Sequence, residues 1–487
     1  MHNLSYIDYA MEELIMGSKE RFYGDIQSLS NGVTGSCHLC IVKFPDCSYS
    51  RFIVDCGLFQ GQNEEQDYNK DFPFKEESIE FALITHNHVD HVGRLPLMTK
   101  NGFTGKIYTT NDTAKLIPLA LYDSCKVLKD VSKRNGMSPL YDDSNVQQVL
   151  SKVVGIPYNE SICITPNIKV TFFKNGHLIG SALILVEISY PGQENINLLF
   201  TGDYNNKNYF FDVPPLPDRV LQMPITIMQE STYGTMDSTQ VQPCFEENLL
   251  QYLSKNGTIV IPVFSLGRSQ EILYFLKKLQ LQNKLDTNIP IYFDGKLANR
   301  YTALYLKNQL EIKEDMIDFL PENLTFVSSE NRNDVLQDEN VKIIVTTSGM
   351  GSYGPAQIYI PTFIKSPKSL IHFTGYTAEG TLGNRLATTP IGEVVKVGGL
   401  LVEKQAEVKY TSEFSAHAKA DELISFLQQF SHINMLIVNH GNPSTKETFA
   451  KRLLKEVKAK EIGIASRDYF FRVSPYHLVK TLPTKFQ

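Results

Sequence analysis

The chain of 487 residues is 42% apolar, 11% aromatic and 21% charged, which excludes a disordered polymer and calls for two or three domains with separate cores. A net charge of −6 supplies no overall basic face of the kind nucleic-acid binders carry, so such a partner would need a locally basic cleft. Seven cysteines at irregular spacing exclude a disulfide framework, and no apolar run is long enough to cross a bilayer.

The opening stretch "MHNLSYIDYAMEELIMGSKERF" lacks the basic end and apolar core of a secretory signal. Its Leu14, Ile15 and Met16 read as a short helix docked on the surface, and the expected location is the cytoplasm. "VTGSCHLCIV" then reads as a β-strand with alternating buried thiols rather than a metal knuckle. Short strands follow at "RFIVDCG" (51–57), "EFALITH" (80–86), "GKIYTT" (105–110), "IKVTFFKNGH" (168–177), "SALILVEI" (181–188) and "INLLFTGD" (196–203). Each is rich in β-branched or aromatic residues and punctuated by turn formers.

From about residue 238 the rhythm changes to alternating helix and strand. "STQVQPCFEENLLQYLSKNG" has helical spacing, "TIVIPVF" is a buried strand, "GRSQEILYFLKKLQLQ" is a helix and "IPIYFDG" a strand. "VKIIVTTSGM" and "SLIHFTGY" continue the pattern, which predicts a mostly parallel sheet with helices on its faces. After 396 come the helix "SAHAKADELISFLQQF", the strand "INMLIVNHG" and the helix "STKETFAKRLLKEVKAK". The "PPLPD" at 214–218 reads as the first crossing between domains.

"THNHVDH" places His86, His88, Asp90 and His91 within six positions where a strand leaves its sheet. Crowding such side chains is costly unless something compensates. His86 and His88 point the same way in extended chain, and Asp90 and His91 follow at the turn, facing a second point. Two adjacent sets of ligands imply two metal ions. His177 in "NGHLIG", Asp203 in "FTGDY" and His440 in "VNHGNP" occupy the same kind of strand-end position. Imidazole mixed with carboxylate suits Zn²⁺, with Mn²⁺ or Fe²⁺ as alternatives.

Taken together, "HNHVDH", "GHLIGSA" and "FTGDY" resemble the metallo-β-lactamase superfamily. "MQESTYG", "EFSAHAKADEL" and "VNHGNP" resemble motifs A, B and C of its nucleic-acid-processing β-CASP branch, over residues ~30 to ~445. "GHLIGSA" looks more like the polyadenylation-type and related bacterial and archaeal enzymes than ribonuclease J. The resemblance implies an α/β (α+β) fold, an αββα sandwich carrying an inserted α/β domain. The expected division is an N-terminal extension (1–22), a first lactamase segment (23–210), the insert (211–395), and a return segment with tail (396–487).

The same resemblance assigns one metal to His86, His88 and His177 and the other to Asp90, His91 and His440, with Asp203 bridging. Asp55 would orient ligands from behind. Asp90, His417 and Glu230 are the implied catalytic residues. Two neighbouring cations would generate hydroxide from water near neutral pH and hold the phosphate oxygens. His417 would protonate the leaving oxygen, aimed by a Glu230 expected to arrive from the start of the insert, so that the pair forms when the domains close. Arg268 in "SLGRSQ" and the turn carrying Ser348 and Gly349 are expected to meet RNA phosphates, with a domain-tying salt bridge as the alternative for Arg268. The function so implied is a metal-dependent ribonuclease for single-stranded RNA, with no membrane partner and a homodimer admitted. The competing readings are a DNA nuclease, which His440 in motif C disfavours, a small-molecule ester or phosphodiester hydrolase, and an inactive binding subunit.

Overall fold

A computed structural model describes residues 22–60, 68–307, 309–375, 377 and 380–475, together with the backbone of strand Lys480–Pro483. The expected docking helix around Leu14 lies outside the described residues.

Two sheets face each other. The first has eight strands, ordered Lys480–Pro483, Tyr469–Val473, Tyr23–Ser28, His38–Lys43, Tyr49–Val54, Phe81–Leu83, Lys106–Thr110 and Val153–Ile156. The second has seven, ordered Ala459–Ile464, Ile433–Asn439, Ile225–Glu230, Ile196–Phe200, Ala182–Ile188, Ile168–Lys174 and Ser161–Thr165. Their inner faces share one core of alternating apolar residues, including Phe52, Phe81, Phe172 and Leu198. Helices cover both outer faces. Asn111–Arg134 and Asp143–Leu150 pack on the first sheet through Ile117, Leu121 and Val146. Ala420–Leu427 and Pro443–Glu456 pack on the second through Leu423, Phe449 and Leu453. This is the expected four-layered αββα arrangement.

A third sheet of six strands is parallel throughout, ordered Leu324–Val327, Ile291–Asp294, Lys342–Thr346, Thr258–Pro262, Leu370–Phe373 and Glu407–Tyr410. Thr258–Pro262 and Lys342–Thr346 are buried at every position, because helices lie on both faces. Arg268–Leu281 and Lys296–Leu306 cover one face, and Ala356–Phe363 and Leu382–Thr388 the other.

Strand membership differs from the sequence-based division at both edges of the insert. Ile225–Glu230 lies inside the expected insert, yet it pairs in the seven-stranded sheet between Ile196–Phe200 and Ile433–Asn439. Glu407–Tyr410 lies in the expected return segment, yet it closes the six-stranded parallel sheet beside Leu370–Phe373. We therefore propose crossings just after 230 and just after 410. Local composition misled here: the prolines at 214–218 precede a helix, Asp218–Gln222, that feeds another strand of the second sheet.

Two helices are also shorter than their periodicity predicts. The segment 238–257 forms a three-residue 3₁₀ turn and then Phe245–Ser254. The helix after motif B begins at Ala420, so His417 stands in the preceding loop and not in a first turn. Cys40 lies in the strand His38–Lys43 and Cys37 just before it; both are buried, in different cores, and all seven cysteines are free thiols.

Candidate metal centre and acid pair

The carboxyl ends of five strands converge on one edge of the two-sheet sandwich. His86 and His88 follow Phe81–Leu83, His177 follows Ile168–Lys174, and Asp203 follows Ile196–Phe200. Glu230 ends its own strand, and His440 follows Ile433–Asn439. Asp90 and His91 sit in the short helix Val89–Val92, whose N-cap is His88. Strand ends gather ligands because side chains there are fixed by the sheet while the backbone is free to turn.

Backbone geometry at this edge is specialised. Asp55 and His440 hold left-handed φ values of 61° and 46°, which non-glycine residues adopt only under surrounding constraint. A Cβ on Gly57 would stand 1.5 Å from the Asp90 carbonyl oxygen, so only glycine lets these two segments touch.

The ligand atoms form two groups. In the first, His88 Nδ1 lies 3.1 Å from His86 Nε2 and 3.3 Å from His177 Nε2. Asp203 Oδ2 stands 3.7 Å and 3.6 Å from the same two Nε2 atoms. In the second, Asp90 Oδ2 is 3.9 Å from both His91 Nε2 and His440 Nε2. Asp203 Oδ1 faces this second group, 3.4 Å from His91 Nε2. The two oxygens of Asp203 thus address different clusters.

The donor set fits divalent ions. Nitrogens sharing one ion through bonds of about 2.0–2.1 Å stand about 3.3 Å apart, as these do. His91 Nε2, His440 Nε2 and Asp203 Oδ1 are buried and have no hydrogen-bond partner, a costly arrangement in a protein interior unless a cation satisfies them. The described residues thus offer two neighbouring sites, His86–His88–His177–Asp203 and Asp90–His91–His440.

A second layer of contacts aims the imidazoles. His91 Nδ1 donates to Asp55 Oδ2 at 2.7 Å, which turns Nε2 toward Asp203. Asp55 also accepts from the Thr85 amide and hydroxyl, at 2.8 Å each to its nearer oxygen. His177 Nδ1 donates to the Ala416 carbonyl at 3.0 Å, leaving Nε2 free for the cluster. Thr232 Oγ1 is 3.1 Å from His440 Nδ1, and Asn175 Nδ2 clamps the Asp203 carbonyl at 3.0 Å. Such partners fix ring orientation and tautomer. Thr85, Asn175 and Thr232 escape sequence reading because a threonine or asparagine beside a ligand is too common a signal.

Burial, then neighbouring His91, drives the His86 pKa far down; burial also drives His177 far down, although Asp203 opposes it. Burial thus favours the neutral form of both rings. His417 shifts the other way. Burial alone would lower it, but the Glu230 carboxylate and then Asp203 outweigh burial and raise it. Its Nδ1 is 3.0 Å from Glu230 Oε1, and its Nε2 is 3.9 Å from Asp203 Oδ2. His417 therefore turns its Nε2 edge toward Asp203 at the rim of the cluster, with Glu230 and Asp203 favouring its charged form.

The remaining expected contacts are not at the cluster. Arg268 is buried, with Nε on Glu271 of its own helix at 3.0 Å and Nη1 on the Thr374 carbonyl. Its ion pair is therefore made within its own helix and not across to the sandwich. Ser348 exchanges hydrogen bonds with Tyr353, and Gly349 is buried against Phe264. Neither touches a ligand residue among the described contacts.

The chain matches the model of the metallo-beta-lactamase superfamily over residues 50–215 and that of the Beta-Casp domain over 269–386. Residues 401–464 match the Zn-dependent metallo-hydrolase RNA specificity domain. Among curated proteins it is 31% identical to the transcription termination factor FttA of Methanocaldococcus jannaschii, over 85% of this chain and 67% of that protein. It is 30% identical to the FttA of Methanosarcina mazei, over 84% of this chain and 66% of the relative, so it spans about two thirds of these factors' length. A ribonuclease of Thermus thermophilus is 28% identical over 89% of this chain and 96% of its own length. No helix among the described residues is long and apolar enough to cross a membrane. The chain belongs to the β-CASP branch of the metallo-β-lactamase superfamily, a branch of metal-dependent hydrolases.

Proposed function

We propose that the chain is a metal-dependent ribonuclease that hydrolyses phosphodiester bonds of single-stranded RNA. The observation that carries this reading is the His417–Glu230 pair poised 3.9 Å from the Asp203 carboxylate that joins the two ligand groups. The match to an RNA specificity domain and the likeness to a named ribonuclease supply the substrate class.

His86, His88 and His177 would hold one divalent ion and Asp90, His91 and His440 a second, with Asp203 shared between them. The donor chemistry favours Zn²⁺, with Mn²⁺ as the alternative. Ions bound there supply an activated water and neutralise phosphate charge. The protein does the rest. Asp55, Thr85 and Thr232 keep His91, His86 and His440 turned into the cleft. Glu230 accepts a hydrogen bond from His417 Nδ1–H, so that Nε2–H faces the leaving oxygen and can donate its proton to it. After transfer the imidazole is neutral and is reprotonated from solvent.

Asp90 enters as ligand only, its Oδ2 standing nearest His91 and His440. Seven free thiols suit a reducing cytoplasm. A homodimer belongs to this reading too, and sedimentation equilibrium tests it. The decisive experiment incubates metal-loaded protein with end-labelled single-stranded RNA and DNA and reads product lengths. RNA cut and DNA spared is the expected result. DNA cut preferentially, or neither cut while a small ester is hydrolysed, overturns it.

A further inference from the structure

The protein is acidic overall, yet one exposed patch beside the metal cleft is cationic. Asn87, set between His86 and His88, is buried and donates from Nδ2 to the Tyr301 hydroxyl at 3.2 Å. Tyr301 belongs to helix Lys296–Leu306, which starts at the carboxyl end of strand Ile291–Asp294 and packs against helix Asn111–Arg134 of the sandwich. Lys296 and Arg300 on the first of these helices, and Lys126 on the second, are exposed. Lys126 stands one turn from the half-buried Asp123 on its own helix, and Lys296 and Arg300 reach the same carboxyl electrostatically from the helix packed against it: burial raises Asp123 and these cations lower it.

None of the three makes an ion pair within 4.0 Å among the described residues. Other cations on the same long helix do: Lys115 pairs with Asp112, and Lys129 with Asp143. The three cations share the one carboxylate of Asp123 and contact no acid closely. They stay without a close ion-pair partner in a chain whose acidic residues outnumber its basic ones, 53 to 47. Two helices from different sheets contribute, so a ligand bound there spans the sandwich and the inserted layer. Arg268, the cation sequence suggested for this task, is consumed internally.

We propose that Lys126, Lys296 and Arg300 form a phosphate-binding patch that tracks the RNA backbone where it passes the Asn87–Tyr301 side of the metal cleft. This rests on the ribonuclease reading. Each side chain neutralises a phosphate and releases a counterion, contributing affinity without reading bases. Asp123 limits the field the three cations project.

The test compares the whole, metal-loaded protein with the triple variant Lys126→Ala/Lys296→Ala/Arg300→Ala on single-stranded RNA longer than about 16 nucleotides, over a range of salt. Because three contacts at about 0.7 each are lost, the slope of log KM against log salt should fall by about 2. KM at low salt should rise about tenfold or more, the loss falling on KM rather than kcat. Asp123→Asn should move KM the opposite way. The charge-retaining set Lys126→Arg/Lys296→Arg/Arg300→Lys should restore the slope, and unchanged metal content and melting temperature exclude misfolding. A triple variant with wild-type KM and slope, or a charge-retaining set as impaired as the alanine set, overturns the patch. Wild-type protein that does not cut RNA at all overturns the ribonuclease reading instead.

Discussion

His417 Nδ1 and Glu230 Oε1 stand 3.0 Å apart; Glu230 ends a strand of the lactamase sandwich, and the loop of His417 is tied to that sandwich through Tyr204, Asn205 and His177. Glu230 is the last residue of a seven-stranded-sheet strand, and its carboxylate also accepts from the Tyr204 amide at 2.8 Å and the Thr232 amide at 3.0 Å. The pair is therefore assembled before any domain closure, contrary to the expectation that Glu230 travels with the insert. Pre-assembly has energetic value, because a carboxylate already fixed by backbone donors pays no reorganisation when the proton moves.

His417→Ala should keep its metals and its RNA affinity while kcat falls on the order of a hundred- to ten-thousand-fold, the usual worth of a positioned acid. A nitrophenyl phosphodiester, whose leaving group needs no proton, should be cut at near wild-type rate. Loss of metal from His417→Ala, read by elemental analysis, would assign the ring to the ligand set instead.

Elemental analysis of undepleted protein should approach two divalent ions per chain. Asp203→Ala should bring that count below one, since its two oxygens address both groups. A single tight ion that survives Asp203→Ala contradicts the shared-carboxylate arrangement.

Asp55→Asn should weaken metal binding by about ten- to a hundred-fold, the typical effect of losing the partner that aims a ligating histidine. Chelator competition measures this, and the loss should fall on the ion nearer His91. Equal retention of both ions would mean His91 is oriented by Asp203 alone.

Arg268→Met should lower stability rather than KM. Glu271, its partner, is itself buried, and breaking a buried pair by removing one member costs about 3–5 kcal/mol. The double variant Arg268→Met/Glu271→Gln should recover part of the loss. A normal melting temperature with a raised KM for RNA would return Arg268 to the substrate.

His372 should make the fold acid-sensitive. Its ring is fully buried against Phe245, both nitrogens lack partners, and burial, then Lys409, lowers its pKa to about 3 from 6.5. A depressed histidine stays neutral in the folded state while the unfolded chain takes up a proton. Its stabilising contribution is thus complete above pH 6.5 and is lost progressively as pH falls toward 3. Between pH 7 and 5 the loss is about 2 kcal/mol. Denaturation midpoints at those two values should differ less for His372→Leu than for the wild type.

The cluster and its neighbours were legible in the sequence for a local reason. A strand that ends in "THNHVDH" must place His86, His88, Asp90 and His91 at the sheet rim, whatever packs above it. The same held for His177, Asp203 and His440, each one to three residues beyond a strand. Periodicity also located about half of the strands and the parallel character of the inserted sheet, but it passed over short or edge strands such as Tyr23–Ser28, Ser161–Thr165, Leu324–Val327 and Glu407–Tyr410. Partner choice across the fold lies outside that local code. Which sheet Ile225–Glu230 joins depends on a register with Ile433–Asn439, about two hundred residues away, and no spacing near Glu230 announces it. Whether Arg268 meets phosphate or Glu271 depends on how deeply its helix is buried, and Thr232 meets His440 only because two distant strands lie side by side. The cationic patch needs two helices from separate sheets. Sequence determined the chemistry at each strand end, and long-range packing decided which groups face one another, because only the packed chain fixes distance and burial together.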